Sequence, residues 1–517
     1  MKSRWRALLS VLLGAAVVAA VGYVLLRGGG ERKGGGRSQV EAAEAVDSAR
    51  YLRVAAKEAT GGAGRDVRVP SAPAVEKAKA AAASANVVIC VIDAARADHI
   101  GCYGYPRETT PNIDRLAEEG VIFEEHFVPY CHTKASTASL FTGLYPDTHL
   151  VRVDSTMERG QFTMAAGLES GGFSTAFFSS NAVASPAMGI GREFQEVFSR
   201  GQGEGQLADR TPETLLEVFA RWLEGRDRSR FFAYVHFVPP HLPYEAPPVL
   251  KALFAGQEPP NAWQGPLEFP EARPPDRPRD SPPLEEWVNL YDANLRWADW
   301  AVGQLEGLLR ERGLLDSTVF ILTSDHGEAF REHGYRYHTR GVYDELVHIP
   351  LLIRFPGSDR VVGRVSGLSQ TVDVLPTVFE LLGVRYPAGE VQGRSLLPLL
   401  SGEASRVREY VYATAAGPGE TYLIRDERAA LILLKGGRQR ALYDLEADPQ
   451  QRHNVVDDRP ERAAEMVAAF RAFAGTQRRP PLDFIDAEAQ VEEVAGPPGV
   501  KISDDTRREL EALGYLR

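Results

Sequence analysis

The chain has 517 residues and a formal net charge of −11, with 44% hydrophobic and 25% charged residues. At about 150 residues per domain, this length predicts two or three folded units with a large core. The acidic balance argues against nucleic acid as a partner, because phosphate backbones select basic surfaces, and the 3 cysteines cannot form a disulfide framework or a cysteine-rich zinc site.

The N-terminal segment Ala7 to Leu26 is a run of 20 uncharged residues. At 1.5 Å per residue, a helix of this length spans roughly 30 Å, the thickness of a bilayer core. Basic residues precede the run at positions 2, 4 and 6. Residues 1–27 are therefore predicted to be a short cytoplasmic N-terminus and an inner-membrane anchor, with the rest of the chain outside the cytoplasm. The alternative is a cleaved signal peptide, which would give a periplasmic or secreted protein, since Val18 and Ala20 suit a cleavage site.

Residues 28–85 are rich in Gly, Ala and Ser and predict a flexible linker with at most one short helix. Continuous apolar runs then predict strands that are buried on both faces, as in a parallel sheet; they span residues 87–92, 173–178, 231–238 and 318–323.

Helical patterns lie between these runs. Two of them begin at Thr-Pro pairs, with Thr110 and Thr211 suited to the N-cap and the prolines to the first turn. The alternation predicts an α/β fold over residues 86–405, with a mostly parallel central sheet flanked by helices. The proline-rich residues 239–283 predict a long irregular loop.

The C-terminal part changes character. Short β-like runs at 410–414, 421–424 and 430–434 predict a small antiparallel β subdomain within residues 406–485, followed by a helix after Pro460. Residues 486–517 are predicted to form a terminal tail.

Polar side chains follow two of the predicted strands. Asp93 follows the first strand, and Asp325 and His326 follow a later one. Ligands of open α/β sheets bind at the carboxyl ends of the strands, and carboxylates with an imidazole suit a divalent metal ion. The alternative for a single strand-end Asp is a helix cap or a loop ion pair.

Small and hydroxyl residues predominate at positions 131–139, directly before the apolar end of a predicted helix. Backbone N–H groups at a helix start stabilise an anion and would help to ionise a hydroxyl there. A Thr alkoxide held by a metal ion is a competent nucleophile. An ordinary N-cap cluster is the alternative interpretation.

Separated motifs occur in one order along residues 86–455: the first strand ending at Asp93, TPNIDRLA at 110–117, LFTGLYP at 140–146, PHLPY at 240–244, TSDHGE at 323–328, DVLPT at 373–377 and LYDL at 442–445. Together they resemble the sulfatase family of the alkaline phosphatase superfamily. The resemblance implies a metal-dependent enzyme that cleaves phosphate or sulfate esters. It also implies one divalent ion, which would be Zn, Mn, Mg or Ca.

The position of the nucleophile departs from the formylglycine sulfatases. Their modified Cys lies nine positions before the Thr of a following Thr-Gly, and counting back from Thr142 gives Thr133 rather than Cys131. An unmodified Thr is similar to the phosphorus-handling, membrane-anchored bacterial members, which favours phosphoesters and phosphodiesters. Sulfate ester hydrolysis and group transfer stay open. Because Ala94 and Thr137 replace the family's second Asp and its Arg, a catalytically inactive binding protein is a further alternative.

The resemblance implies a set of site residues. The metal ligands are Asp93, Thr133, Asp325 and His326. The catalytic residues are the nucleophile Thr133 and, as groups that protonate the leaving oxygen, His338 and His241. The residues that bind substrate are Lys134, Asn181 and His236. The residues around the metal site are Arg96, Glu328 and His333. The expected substrate is a small-molecule, lipid or glycan ester.

Overall fold

The computed structural model describes residues 51, 69–200, 207, 209–226, 229–260, 283–334, 336–338, 341–357, 361–415, 421–433 and 440–478. The chain divides into two units, residues 1–66 and 67–517, and all described residues except residue 51 belong to the second unit. The predicted anchor Ala7–Leu26 and the predicted tail 486–517 lie outside the described residues. A search of the described helices finds none with the length and apolar character needed to cross a membrane.

The described strands, in chain order, are β1 (Asn86–Ile92), β2 (Val121–Phe123), β3 (His126–Phe127), β4 (Ser174–Ser179), β5 (Glu196–Ser199), β6 (Phe231–Phe237), β7 (Thr318–Ser324), β8 (Ala329–Phe330), β9 (Arg336–Tyr337), β10 (Leu351–Arg354), β11 (Gly363–Val365), β12 (Ser369–Gln370), β13 (Val411–Ala415), β14 (Thr421–Arg425), β15 (Ala429–Leu433) and β16 (Arg440–Asp444).

The described α-helices are α1 (Ala72–Ala82), α2 (Pro111–Ala117), α3 (Thr133–Thr142), α4 (Pro146–His149), α5 (Met164–Ser170), α6 (Pro212–Gly225), α7 (Pro248–Phe254), α8 (Leu284–Glu311), α9 (Asp344–Val347), α10 (Val374–Leu382), α11 (Leu397–Leu400) and α12 (Pro460–Ala474).

The central sheet has the strand order β11-β2-β10-β7-β1-β6-β4-β5. β1 lies between β6 and β7 and is parallel to both, and every one of its residues is buried. β10 is the exception, since it runs antiparallel to β7 and β2. The predicted α/β fold with a mostly parallel sheet is confirmed, because runs that are apolar on both faces need cover on both sides.

The two helices predicted to begin at Thr-Pro pairs are confirmed as α2 and α6. α6 begins where the sequence predicts, since the Thr211 side chain accepts a hydrogen bond from the backbone N–H of Thr214. α8 is one continuous helix of 28 residues. The C-terminal prediction is also confirmed: β13 to β16 form an antiparallel sheet in sequence order. α12 packs its buried face, which includes Met466 and Phe470, against this sheet.

One described helix, α7, lies where the sequence predicted irregular chain, and another, α1, is a short helix of the kind that the sequence allowed within the predicted linker. α7 interrupts the proline-rich stretch, and Pro248 occupies its first turn, where a missing N–H costs nothing. α1 lies within the predicted linker, and its Val75, Ala78 and Ala82 are buried in the main core.

Candidate active site

The carboxyl ends of three neighbouring strands bring the central acidic and imidazole groups together. Ile92 of β1 pairs with Ser324 of β7, so Asp93 and Asp325 follow at the same edge of the sheet. His236 lies at the end of β6, next to the last residues of β1. All three side chains are buried, and the strand order alone dictates that they meet.

These three side chains form the best candidate metal site in the described part of the chain. One ligand atom from each of Asp93, His236 and Asp325 lies within 4.8 Å of the others. Nε2 of His236 is 3.7 Å from Oδ2 of Asp93 and 4.0 Å from Oδ2 of Asp325.

Several buried atoms of this cluster lack hydrogen-bond partners among the described residues. They are Oδ1 of Asp93, Oδ2 of Asp325 and Nε2 of His236. Leaving such atoms unsatisfied costs free energy, whereas a divalent cation would satisfy them together. The residues therefore fit a metal ion. The sequence assigned His236 to substrate, but the structure places it among the candidate ligands.

A tyrosine that sequence reasoning missed orients His236. The hydroxyl of Tyr234 lies 2.9 Å from Nδ1 of His236, which directs Nε2 toward the two carboxylates. Outer groups of this kind commonly fix the ring of a metal-binding His. The available signal was the spacing of two residues, because side chains at i and i+2 share one face of a strand.

His326 joins the cluster from the segment after β7. Its Nε2 is 3.6 Å from Oδ1 of Asp93 and 3.5 Å from Oδ2 of Asp325. Its Nδ1 lies 2.9 Å from the backbone oxygen of Gly327, so Nδ1 carries the hydrogen and Nε2 presents its lone pair. That lone pair lies 3.2 Å from Oγ1 of Thr133.

Thr133 is the first residue of α3, and His132 is the N-cap. The Thr133 hydroxyl therefore lies at the positive end of a ten-residue helix and beside the lone pair of His326. Cys131 is buried, and burial raises the pKa of its thiol well above the ordinary value. A thiol in this state is a poor nucleophile, so the geometry agrees with the spacing argument for Thr133.

Three further histidine rings lie close to the His326 ring or to one another. The ring of His338 stacks on that of His326 at 4.1 Å between centroids and lies 4.9 Å from that of His241. The ring of His132, which had no predicted role, is 6.4 Å from that of His338. Burial lowers the pKa of His338, and so do the neighbouring imidazoles. Burial also lowers the pKa of His241.

Asp93 has a carboxylate that stays charged. Burial by itself raises its pKa, but the His241, His236 and His326 rings outweigh this effect and lower the pKa to about 2. Asn181 also donates a hydrogen bond from Nδ2 to Oδ2 of Asp93. Asn181, which the sequence assigned to substrate binding, therefore holds the carboxylate of the candidate metal ligand Asp93.

Glu328 is fully buried, and neither carboxylate oxygen has a hydrogen-bond partner among the described residues. Its Oε1 is 3.9 Å from Nδ1 of His338. Burial raises the pKa of Glu328 well above its ordinary value, and the negative charge of Asp93 adds to this effect. Arg96 supports the segment by donating from Nη1 to the backbone oxygen of Glu328 at 3.0 Å.

Lys134 and His333, which the sequence assigned to the site, make their polar contacts with other parts of the fold. Nζ of Lys134 donates to the backbone oxygen of Val153 at 2.7 Å, and burial lowers the Lys134 pKa to about 8. His333 lies 2.7 Å from Oε1 of Glu345 through Nδ1 and 3.0 Å from the backbone oxygen of Gln451 through Nε2. Both ring nitrogens of His333 are therefore already occupied.

The family model of sulfatases matches residues 85–384. A second model, described as N-sulphoglucosamine sulphohydrolase, C-terminal, matches residues 331–472. Because the first match covers more than half of the chain, the protein belongs to the sulfatase family. It is accordingly an ester hydrolase, which leaves the alternative of an inactive binding protein without support.

Similar proteins include enzymes of more than one specificity. The multifunctional alkaline phosphatase superfamily protein PehA of Trinickia caryophylli is 24% identical over 72% of this chain and 91% of PehA. The N-acetylglucosamine-6-O-sulfatase of Bacteroides thetaiotaomicron is 23% identical over 72% of this chain and 82% of that enzyme.

Solved structures share the fold. The phosphonate monoester hydrolase of Agrobacterium radiobacter has a TM-score of 0.64 at 22% identity, over 75% of this chain and 95% of that one. A structure in complex with its substrate D-glucosamine-2-N,6-O-disulfate has a TM-score of 0.65 at 21% identity, over 78% of this chain and 99% of that one.

Proposed function

We propose that the protein cleaves phosphate esters, including phosphodiesters, with Thr133 as an unmodified nucleophile. The observation that carries this proposal is the position of the Thr133 hydroxyl, at the start of α3 and 3.2 Å from Nε2 of His326. A hydroxyl that lies among an oriented imidazole and two carboxylates would be activated by coordination to the same divalent ion, for which Nε2 of His326 would be a ligand rather than a base.

The residues proposed to hold one divalent ion are Asp93, Asp325, His326 and Thr133, with His236 as an additional ligand. The buried, unsatisfied atoms of Asp93, Asp325 and His236 support this assignment. A bound divalent ion lowers the pKa of a coordinated hydroxyl and neutralises charge on the ester. Zn, Mn, Mg and Ca are the candidates.

The chain's own groups supply the remaining chemistry. The hydroxyl of Thr133 gives its proton to water, and its oxygen forms a bond to phosphorus while the bond from phosphorus to the leaving oxygen breaks. His338 or His241 gives a proton to that oxygen. The low pKa values of these two histidines in the ligand-free protein rise when an anionic ester binds beside them, since a negative charge favours the imidazolium. Water or an acceptor hydroxyl then attacks phosphorus and releases Thr133.

Sulfate ester hydrolysis is the second candidate, because similar proteins include an N-acetylglucosamine-6-O-sulfatase and an ulvan-active sulfatase. These names also support a glycan as one class of leaving group. Lipid and small-molecule esters are compatible with the same chemistry.

The proposed setting is outside the cytoplasm. In this proposal, residues 1–27 anchor the chain in the inner membrane or act as a cleaved signal, residues 28–85 lead from them to β1 and include α1, which packs in the main core, and residues 486–517 form a tail. Fractionation with protease protection of intact cells tests this arrangement. An activity found only in the cytoplasmic fraction would contradict it.

The test of the proposed activity compares 4-nitrophenyl phosphate, bis(4-nitrophenyl) phosphate and 4-nitrophenyl sulfate, with the full-length protein in detergent. Each assay is run after chelation and after addition of Zn²⁺, Mn²⁺, Mg²⁺ or Ca²⁺. We expect the phosphate esters to be hydrolysed, and Thr133→Ala to abolish this activity. Cys131→Ala is the matched control and should keep it. Turnover of the sulfate alone would contradict the phosphoester proposal, and full activity in Thr133→Ala would contradict the nucleophile assignment.

A further inference from the structure

The turn that follows β1 contains a strained residue beside a candidate metal ligand. Ala94 comes directly after Asp93 and has a left-handed backbone at a φ of 60°. This conformation costs free energy in a residue other than glycine, and it persists only where the surrounding structure enforces it. Ala94 is completely buried, so its packed neighbours must supply that constraint. The next residue, Ala95, is fixed to β7, because its N–H donates to Oγ of Ser324 at 2.9 Å.

Tyr291, in the first half of α8, fixes the same turn from the helical layer. Its hydroxyl donates to the backbone oxygen of Ala94 at 2.8 Å and accepts from the backbone N–H of Arg96 at 2.9 Å. The hydroxyl thus bridges two backbone groups on either side of one peptide unit. Tyr291 is completely buried, and its ring packs edge-on against that of Phe330 at 4.9 Å between centroids, which fixes the position of the hydroxyl.

The strained backbone in turn orients the candidate ligand Asp325. The N–H of Ala94 donates to Oδ1 of Asp325 at 3.1 Å, and the N–H of His326 donates to the same oxygen at 3.0 Å. Because Oδ1 is held in this way, Oδ2 is the oxygen that lies 4.0 Å from Nε2 of His236 and 3.5 Å from Nε2 of His326. A backbone rotation at Ala94 would withdraw one of these donors and would also move the adjoining Asp93. Two candidate ligands therefore depend on the conformation of one residue.

We propose that Tyr291 is a positioning residue of the metal site. It holds Ala94 in the left-handed conformation, and Ala94 in turn sets Asp93 and Asp325 so that both carboxylates face one ion. Groups that orient metal ligands in this way influence the affinity for the metal without contacting it. The inference rests on the proposed function, because it concerns residues proposed to hold the ion.

The test measures metal binding rather than hydrolysis, with the full-length protein in detergent after a chelator has removed bound metal. Calorimetric titrations use Zn²⁺, Mn²⁺, Mg²⁺ and Ca²⁺ in turn, and variants are compared with the ion that wild type binds most tightly. Tyr291→Phe keeps the ring and its packing but removes both hydrogen bonds. We expect the dissociation constant of the ion to rise roughly tenfold, the lower end of the usual loss when a group that orients a metal ligand is removed.

A glycine at position 94 supplies the readout that a merely structural role of Tyr291 would not move. Glycine adopts the left-handed conformation without a steric cost, so Ala94→Gly removes the strain that Tyr291 holds. The double variant with Tyr291→Phe and Ala94→Gly should therefore bind the ion with an affinity close to that of wild type. The matched control is Tyr105→Phe, which removes another buried hydroxyl that donates to α8, at 2.7 Å from Oδ2 of Asp292. This control should leave the dissociation constant unchanged.

Hydrogen exchange measured by mass spectrometry on the same metal-free proteins tests the inference without an ion. Tyr291→Phe should speed exchange at the amides of Ala94 and Ala95, and not only at that of Arg96, whose acceptor is removed. Tyr105→Phe should match wild type in this segment. A wild-type protein that binds none of the four ions would contradict the proposed metal site, and the exchange rates would still decide this inference.

Three results would overturn the inference. They are an unchanged affinity in Tyr291→Phe, a loss of affinity that Ala94→Gly does not recover, and exchange that is faster at Arg96 alone. If Tyr291→Phe does not fold, the double variant decides, because relief of the strain at position 94 is expected to restore folding. A double variant that also fails to fold would overturn the inference as well.

Discussion

Buried carboxylates occupy two contrasting settings in this molecule. At two structural positions, Asp373 and Asp299, both carboxylate oxygens are hydrogen-bonded. Asp373 accepts from the backbone N–H groups of Gln370 and Arg394 and from the guanidinium of Arg408. Asp299 accepts from the backbone N–H groups of Asn112 and Ile113 and from the Asn112 side chain.

The carboxylates of the active site differ, because several of their oxygens lack hydrogen-bond partners. One oxygen of Asp93, one oxygen of Asp325 and both oxygens of Glu328 have no hydrogen-bond partner among the described residues. The fold provides hydrogen-bond donors for both oxygens of Asp373 and Asp299. The carboxylate oxygens without donors at one edge of the sheet therefore indicate that a ligand binds there. If this difference is general, carboxylates with both oxygens hydrogen-bonded stabilise the fold, whereas those with a partnerless oxygen serve the reaction.

The largest expected effect is on catalysis at Asp325. Asp325→Asn keeps the oxygen that accepts from the N–H groups of Ala94 and His326 but removes the charge of the unsatisfied oxygen. We expect hydrolysis to fall roughly a thousandfold, because a metal ion supplies several kcal/mol of charge stabilisation. Steady-state kinetics with added metal measure this effect.

The same variant should leave the free energy of unfolding of the metal-free protein unchanged or slightly higher, as measured in urea with a chelator. A large loss of stability together with retained activity would show that Asp325 is structural, and the distinction between the two settings would fail.

The second expected effect is on stability at Asp373. Asp373→Ala leaves the buried guanidinium of Arg408 without its carboxylate and two backbone N–H groups without acceptors. The free energy of unfolding should fall by about 3–5 kcal/mol, the usual cost of breaking a buried pair on one side. Urea unfolding measures the loss. Asp373→Ala combined with Arg408→Met should recover part of it, and no recovery would show that the pair is not the cause.

The fold was largely predictable from the sequence because the strands of a parallel sheet carry an unambiguous pattern. The run from Val87 to Ile92 is apolar on both faces, and only burial on both sides accommodates it. α7 was not predicted, since its stability comes from packing against the rest of the molecule. A short helix with little propensity of its own leaves a weak signal.

The candidate site was only partly predictable. Strand ends identified Asp93 and Asp325, and spacing identified Thr133, because these depend on order along the chain. The contact between His236 and the carboxylates depends on which strand lies beside β1, and the sequence does not state that order. Lys134 and His333 have residue types suited to a site, yet their polar atoms contact backbone and Glu345 instead.

A smaller effect on stability is expected at Asp299, which lies in α8 and caps the start of α2 across the interface. Asp299→Ala leaves the backbone N–H groups of Asn112 and Ile113 without an acceptor. The free energy of unfolding should fall by about 1–3 kcal/mol, measured in urea, with hydrolysis unchanged once the protein is folded. A loss of activity in the folded variant would contradict the structural assignment.

The smallest expected effect extends the comparison to a buried histidine. His149 is saturated on both sides: its Nδ1 accepts from the backbone N–H of Val151 at 3.0 Å, and its Nε2 lies 2.9 Å from the hydroxyl of Ser139. Burial lowers its pKa to about 3, and the charge of Arg152 contributes. The unfolded chain takes up a proton near pH 6.5 and the folded chain does not, so this contribution to stability is complete above pH 6.5 and is lost as pH falls toward 3. Below pH 6.5 the loss approaches about 1.4 kcal/mol per pH unit. Urea unfolding between pH 7.5 and 5 should therefore show a shallower pH dependence in His149→Asn than in wild type.

The control is His453→Gln, at an exposed position, which should match wild type. Equal slopes in all three proteins would show that the hydrogen-bonded ring of His149 does not resist protonation.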